Sequence, residues 1–124
     1  MIRGALTAVP MVLALCGCLF GRVETSRVLT GPAGPPYAGP VAIVMENAPP
    51  PASFVEVGIL QAIGYGTYAN LARIVESLQG QAAGLGCDAV IRVHVDQGSS
   101  QASGTGICVR TAATWTAPAP PPPR

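Results

Sequence analysis

Apolar residues between positions 41 and 116 recur with strand spacing at the two ends of this segment and with helix spacing in its middle. The run at 41–45 predicts one short strand. Alternation between Phe54 and Ile63 predicts a second strand, whose buried face comprises Val55, Val57, Ile59 and Ile63. Thr67 is a suitable N-cap for a helix that ends before Gly86. The apolar face of that helix comprises Leu71, Val75, Leu78, Ala82 and Leu85.

Two further strands are predicted after the helix. The first follows Cys87, and its buried face comprises Ala89, Ile91, Val93 and Val95. A polar loop covers 98–104, and a β-branched, threonine-rich run from Ile107 to Trp115 predicts the last strand. The order of elements therefore predicts an α+β fold of the ββαββ type, in which one helix packs on a mostly antiparallel sheet.

The segments that flank this pattern have no regular period. Residues 18–40 are polar and then rich in glycine and proline, which predicts an extended tether. Residues 117–124 contain a run of four prolines and predict a polyproline II tail. The expected organisation is a leader at 1–17, a tether at 18–40, a folded domain at 41–116 and a disordered tail at 117–124.

The first eighteen residues have the layout of a bacterial export signal. Arg3 precedes an apolar run from Ala5 to Leu15, and a basic start followed by about 7–15 apolar residues is typical of a signal peptide. The run is shorter than the roughly 20 residues of a membrane-spanning helix. The sequence Leu15-Cys16-Gly17-Cys18 resembles a lipobox, which predicts cleavage before Cys18 and lipid on its thiol. Cys16 is a poorer acceptor because bulky Leu15 would then adjoin the cut.

Composition excludes some classes of partner. The chain has seven arginines, no lysine and six acidic residues, and a nucleic-acid-binding protein normally has a basic stripe. Cleavage before Cys18 would leave 107 residues with equal numbers of arginines and acids. We therefore expect no nucleic-acid partner and no strong electrostatic steering.

The pattern resembles the small α/β lipoproteins that include the Rcs envelope-stress sensor, and the related heavy-metal-binding-like domains. The resemblance rests on the lipobox and proline-rich segment, on a helix that runs into Ala89–His94, and on a last strand with Ile107-Cys108-Val109-Arg110. It implies a non-enzymatic module of the cell envelope that senses stress or binds other envelope proteins. Leu19, the residue after the predicted acceptor, is not aspartate, and by resemblance to well-studied envelopes this predicts sorting to the outer membrane. The sensor has four cysteines in its domain, whereas this domain has only Cys87 and Cys108.

The state of Cys87 and Cys108 stays open at this stage. Exported cysteines usually form disulfides. A hairpin around 98–104, however, would place Cys108 opposite His94 or Val95, and Cys87 roughly 23 Å further along at 3.3 Å per residue. A disulfide needs Cα atoms within about 7 Å. A bulge or another strand order would allow it, and two buried thiols or an intermolecular bond are the alternatives.

No motif predicts a catalytic centre or a cofactor. His94 is the only histidine, and we expect it to point to solvent. A metal-binding lipoprotein would use Cys87, His94 and Cys108, although their spacing matches no metal motif. A third hypothesis is a purely structural envelope spacer. Three aromatic residues either form a small interaction surface or cover the open end of the core, namely Tyr65, Tyr68 and Trp115.

Overall fold

The computed structural model describes residues 21–111, which form five strands and one α-helix. The strands are β1 (Arg22–Leu29), β2 (Ala42–Met45), β3 (Phe54–Tyr65), β4 (Ala89–Gln97) and β5 (Gln101–Thr111). A 3₁₀ turn (Gly66–Tyr68) leads into α1 (Leu71–Gly84). The sheet order is β1-β3-β5-β4-β2, antiparallel except for β2 and β4. The predicted α+β class, with one helix on a sheet, is confirmed.

The predicted ββαββ order is wrong because β1 adds a strand at residues that we assigned to the tether. Residues 22–29 pair antiparallel with β3, and only Val23 among them is partly buried against the core. An edge strand of this kind needs little apolar alternation, because its hydrogen bonds to β3 and one packed side chain hold it.

The rest of the predicted tether is also attached to the domain. The Gly34 amide donates to Leu85 O at 3.0 Å, and the Tyr37 amide donates to Ala83 O at 2.8 Å. The Arg110 guanidinium donates to Pro32 O at 2.7 Å. Residues 30–41 therefore run past the C-terminal end of α1 and do not form a free spacer.

The helix starts later than predicted. Asn70, not Thr67, is the N-cap, and its side chain accepts a hydrogen bond from the Arg73 amide at 3.0 Å. The buried residues are Ile74, Leu78 and Ala82, while Leu71 is 47% exposed. The predicted face is therefore correct in the later turns and wrong in the first turn.

A bulge in β3 changes which side chains face the helix. The pairing with β5 shifts between Glu56 and Gly58, which leaves Val57 as the extra residue. Beyond the bulge Leu60 and Ala62 lie in the core under α1. Val57 lies in the core as predicted, but Ile59 points to the other side of the sheet, so the predicted buried face of this strand is wrong beyond the bulge.

A second bulge has the same effect in β4. Its pairing with β5 shifts between Ile91 and His94, and Arg92 between them has a φ of 53°. Val90 and Val93 therefore pack in the main core under α1. Ile91 joins Ala89 and Val109 in a smaller cluster on the opposite side of the sheet, which we call the open face. The prediction of one buried face for Ala89, Ile91 and Val93 is therefore wrong, because the bulge places them on two sides of the sheet.

The connection between β2 and β3 accounts for burial on the open face. Both strands run in the same direction, so residues 46–53 must return from the end of β2 to the start of β3, past β4 and β5. The helix occupies the other side of these strands. We infer that this proline-rich crossover covers the cluster around Ile91 and Val109, which are 1% and 0% exposed.

Glycines in β5 leave room for side chains of α1 and β4 to pack directly against the β5 backbone. A pair of glycine-to-alanine variants tests this packing. A Cβ at Gly106 would collide with the Val90 side chain, whereas a Cβ at Gly80 on α1 meets no atom within 4 Å. We expect Gly106→Ala to lower the free energy of unfolding by about 1–3 kcal/mol. Gly80→Ala should raise it by up to about 1 kcal/mol. Urea denaturation checks both, and equal effects would contradict the packing described here.

Candidate protein-interaction surface

The outer edge of β1 is the most distinctive exposed feature of residues 21–111. β1 is eight residues long, lies at the end of the sheet, and no described strand pairs with its outer side. It contains no proline or lysine, which are residues that commonly protect edge strands from pairing. The edge is therefore able to accept another extended chain.

Backbone alternation shows which groups are presented outward. The Thr30 amide donates to Val57 O at 2.9 Å, so amides of even-numbered residues in β1 point toward β3. The amides of Val23, Thr25 and Arg27 consequently point away from the sheet. These groups form a row that a partner strand would satisfy.

Exposed apolar side chains border this row. Val28 is 63% exposed and Leu29 is 53% exposed, on opposite sides of the sheet. Ile59, opposite Val28 on β3, is 45% exposed. We call Val28, Leu29, Ile59 and the outer edge of β1 the β1-edge surface. Sequence reasoning missed it because β1 itself was not predicted.

Two of the three charged residues on β1, Arg22 and Glu24, form an ion pair, and Arg27 is the third. Arg22 Nε lies 3.3 Å from Glu24 Oε1, and Tyr65 donates to Glu24 Oε2 at 3.4 Å. The Arg22 guanidinium also lies 4.5 Å from the centroid of the Tyr65 ring. The edge therefore presents main-chain and apolar groups together with one exposed cation, Arg27.

Cys87 and Cys108 form a disulfide, with Cα atoms 5.8 Å apart. The predicted 23 Å separation is wrong for two reasons: Cys108 lies opposite Val90, not His94 or Val95, and Cys87 precedes β4 and is not part of the extended strand. The turn is shorter than assumed, since β5 begins at Gln101, and the bulge at Arg92 absorbs another residue. Both cysteines are fully buried.

Asp88 fixes the chain next to this disulfide. Its amide donates to Val109 O at 3.2 Å. Its carboxylate accepts hydrogen bonds from the Thr111 amide at 2.8 Å and from the Thr111 hydroxyl at 2.5 Å. Asp88 is 8% exposed, so these contacts hold the start of β4 against the end of β5.

The residues of the metal-binding hypothesis are not brought together. The sulfur atoms of Cys87 and Cys108 are bonded to each other on the helix side of the sheet. His94 pairs with Thr105 and is exposed on the open face. Across positions 21–111, no group of three or more His, Cys, Asp or Glu side chains is arranged to hold a metal ion.

His94 lies between two carboxylates. Its Nδ1 is 2.7 Å from Glu46 Oε1, at the start of the crossover, and its Nε2 is 3.0 Å from Asp96 Oδ1. These hydrogen bonds, that of Glu46 foremost, raise the pKa of His94 above its ordinary value of 6.5. When protonated, the ring donates to both carboxylates and thus links the crossover to β4.

The sign of the resulting pH dependence follows from the raised pKa. Stabilisation by protonated His94 is complete below about pH 6.5 and is lost as pH rises through the higher value in the folded state. We expect NMR titration to give a His94 pKa above that of an unfolded control. Glu46→Gln and Asp96→Asn should each lower it, because each removes a carboxylate that raises it. A pKa unchanged by Glu46→Gln would contradict the assigned contact.

A hollow of about 200 Å³ lies between β1, the 3₁₀ turn and α1. It is lined by Val23, Tyr68, Arg73, Glu76 and Ser77. Arg73 and Glu76 are 3.5 Å apart and compensate each other. The lining therefore does not select a charged ligand.

In comparisons with known proteins, no family model, curated protein or solved structure matches this chain. Cys18, the predicted lipidation site, lies outside residues 21–111, as do the predicted leader and tail. Within the described part of the chain, no helix is long and apolar enough to cross a bilayer.

Proposed function

We propose that this chain is a lipid-anchored, non-enzymatic protein of the bacterial cell envelope, whose domain binds another envelope protein. The anchor is supported by the sequence Leu15-Cys16-Gly17-Cys18 after a short apolar run. Protein binding is supported by one structural observation, the outer edge of β1, which no strand within residues 21–111 pairs with and which exposed Val28, Leu29 and Ile59 border. Outer-membrane placement is part of the proposal and is supported by Leu19, in place of aspartate, after the predicted acceptor.

Addition of a partner strand would use both components of the β1-edge surface. Main-chain hydrogen bonds to the outward groups of β1 give affinity, and alternate side chains give specificity. The partner would contact Val28 and Ile59 on one side and Leu29 on the other. A spacer with no partner would not need such a surface.

Site-specific photocrosslinking in the native bacterium tests the proposal. A photoreactive residue in place of Val28 should give a discrete adduct with one envelope protein. The same residue in place of Met45, exposed on the opposite edge strand β2, is the matched control and should give none. Equal adducts at both positions, or none at Val28, would contradict binding through β1.

A backbone variant makes the test specific for strand pairing. Thr25→Pro removes an amide that points away from β3, and proline is tolerated on edge strands. We expect it to abolish the Val28 adduct while the circular dichroism spectrum stays unchanged. A retained adduct would exclude pairing along β1.

A further inference from the structure

We propose that the end of the domain formed by Tyr65, Tyr68 and Leu71 rests on the bilayer that holds the lipid anchor. This inference rests on the proposed function, because it requires lipid on Cys18. It concerns a different surface from the β1 edge and a different partner, the phospholipid headgroups.

The first step is covalent reach. Only Leu19, Phe20 and Gly21 separate Cys18 from Arg22, the first residue of β1. At 3.3–3.6 Å per residue, Arg22 lies within about 14 Å of Cys18, whatever path these residues take. The headgroup region of one leaflet is about 5–8 Å thick. A domain that begins at Arg22 is therefore confined close to the membrane, unlike one that begins after a twenty-residue tether.

The second step identifies which end faces the bilayer. Arg22 pairs with Tyr65 at the end of β3, and the 3₁₀ turn and the start of α1 follow directly. The Gly66 amide donates to Ser100 O at 3.2 Å, which places the β4–β5 turn at the same end. Leu29, at the other end of β1, lies roughly 23 Å from Arg22 at 3.3 Å per residue.

The third step is the chemistry of this end. Leu71 is 47% exposed, and the guanidiniums of Arg22 and Arg73 lie 4.5 and 4.8 Å from the ring centroids of Tyr65 and Tyr68. Tyrosine and arginine present an apolar body and a polar tip, which suits the boundary between headgroups and acyl chains. Leu29 is similarly exposed at the far end, so covalent reach, not exposure, selects the surface.

Local charge determines which lipid is needed. Arg22 and Arg73 each have a glutamate neighbour, Glu24 at 3.3 Å and Glu76 at 3.5 Å. The surface is close to neutral, so contact should not require anionic lipid. Phosphatidylcholine vesicles are therefore the appropriate probe.

Depth-dependent fluorescence quenching tests the inference on the full mature lipoprotein in phosphatidylcholine vesicles. A fluorophore is placed on Leu71→Cys or on Leu29→Cys, and the quencher is a nitroxide on the lipid headgroup. The two leucines have similar exposure at opposite ends of the domain, and the native disulfide leaves the new thiol free for labelling. We expect severalfold stronger quenching at position 71 than at position 29. A second reporter, Ser100→Cys, should behave like position 71.

The outcomes separate this inference from the proposed function. Equal quenching at the two leucines, or stronger quenching at position 29, overturns the inference when intact mass shows that the protein carries lipid. Protein purified from the bacterium without lipid on Cys18 overturns the anchor itself.

Discussion

Replacing Cys87 and Cys108 together by alanine is expected to lower the free energy of unfolding by about 3 kcal/mol. The disulfide joins residues 21 positions apart, and loss of such a crosslink enlarges the unfolded ensemble. Both cysteines also belong to the main core, so truncation to alanine removes packed volume. Urea denaturation of the oxidised protein and of the double variant measures the change.

Reduction of the unaltered protein separates the crosslink from the packing. Reductant should lower the urea midpoint of the wild-type domain, because it opens the disulfide while both sulfur atoms remain. It should leave the double variant unaffected. A wild-type midpoint that is the same with and without reductant would contradict a stabilising disulfide.

The Cys18→Ser variant is expected to lose lipid modification and processing completely, because serine provides no thiol for the diacylglycerol. Each buried methylene of an acyl chain contributes about 0.8 kcal/mol to membrane binding, and stable anchoring takes more than one chain. Metabolic labelling with a fatty acid in a bacterial host, followed by fractionation, checks the result.

Cys16→Ser is the matched control for lipidation. This variant makes the same replacement of sulfur by oxygen two residues earlier in the chain. We expect it to retain labelling, because Cys18 and the Gly17 that precedes it are unchanged. Labelling that is lost with Cys16→Ser and kept with Cys18→Ser would contradict this prediction and would show that Cys16 carries the lipid.

The elements that bury a continuous apolar stripe could be predicted from the sequence. The helix face at Leu78, Ala82 and Leu85 and the strands after residue 41 have clear periods, so the α+β class followed from them. The N-cap was misplaced because Gly66–Tyr68 forms a 3₁₀ turn first, and Thr67 and Asn70 are both acceptable caps by residue type.

Two bulges limited the prediction of side-chain direction. A single extra residue moves every later side chain of a strand to the opposite face of the sheet. Neither Val57 nor Arg92 is a residue whose type indicates a bulge, and Arg92 adopts a positive φ without being glycine. The bulge at Arg92 accounts for one residue of the misplacement of Cys108 relative to Cys87, and the shorter turn between β4 and β5 accounts for the rest.

The β1-edge surface was not predictable for a different reason. Its residues are mostly exposed, so alternation carries little information about them, and pairing with β3 is a long-range event. Because the domain starts at Arg22, only three residues connect it to the proposed anchor at Cys18, where a tether of more than twenty residues was predicted.

Mass spectrometry of the protein purified from its native bacterium tests the central claim, which is anchorage through Cys18, most directly. The account predicts a mature chain whose first residue is Cys18 and whose N-terminal peptide carries the added mass of acyl chains. An N-terminal peptide that begins at Met1, or one that begins at Cys18 without added mass, would contradict it.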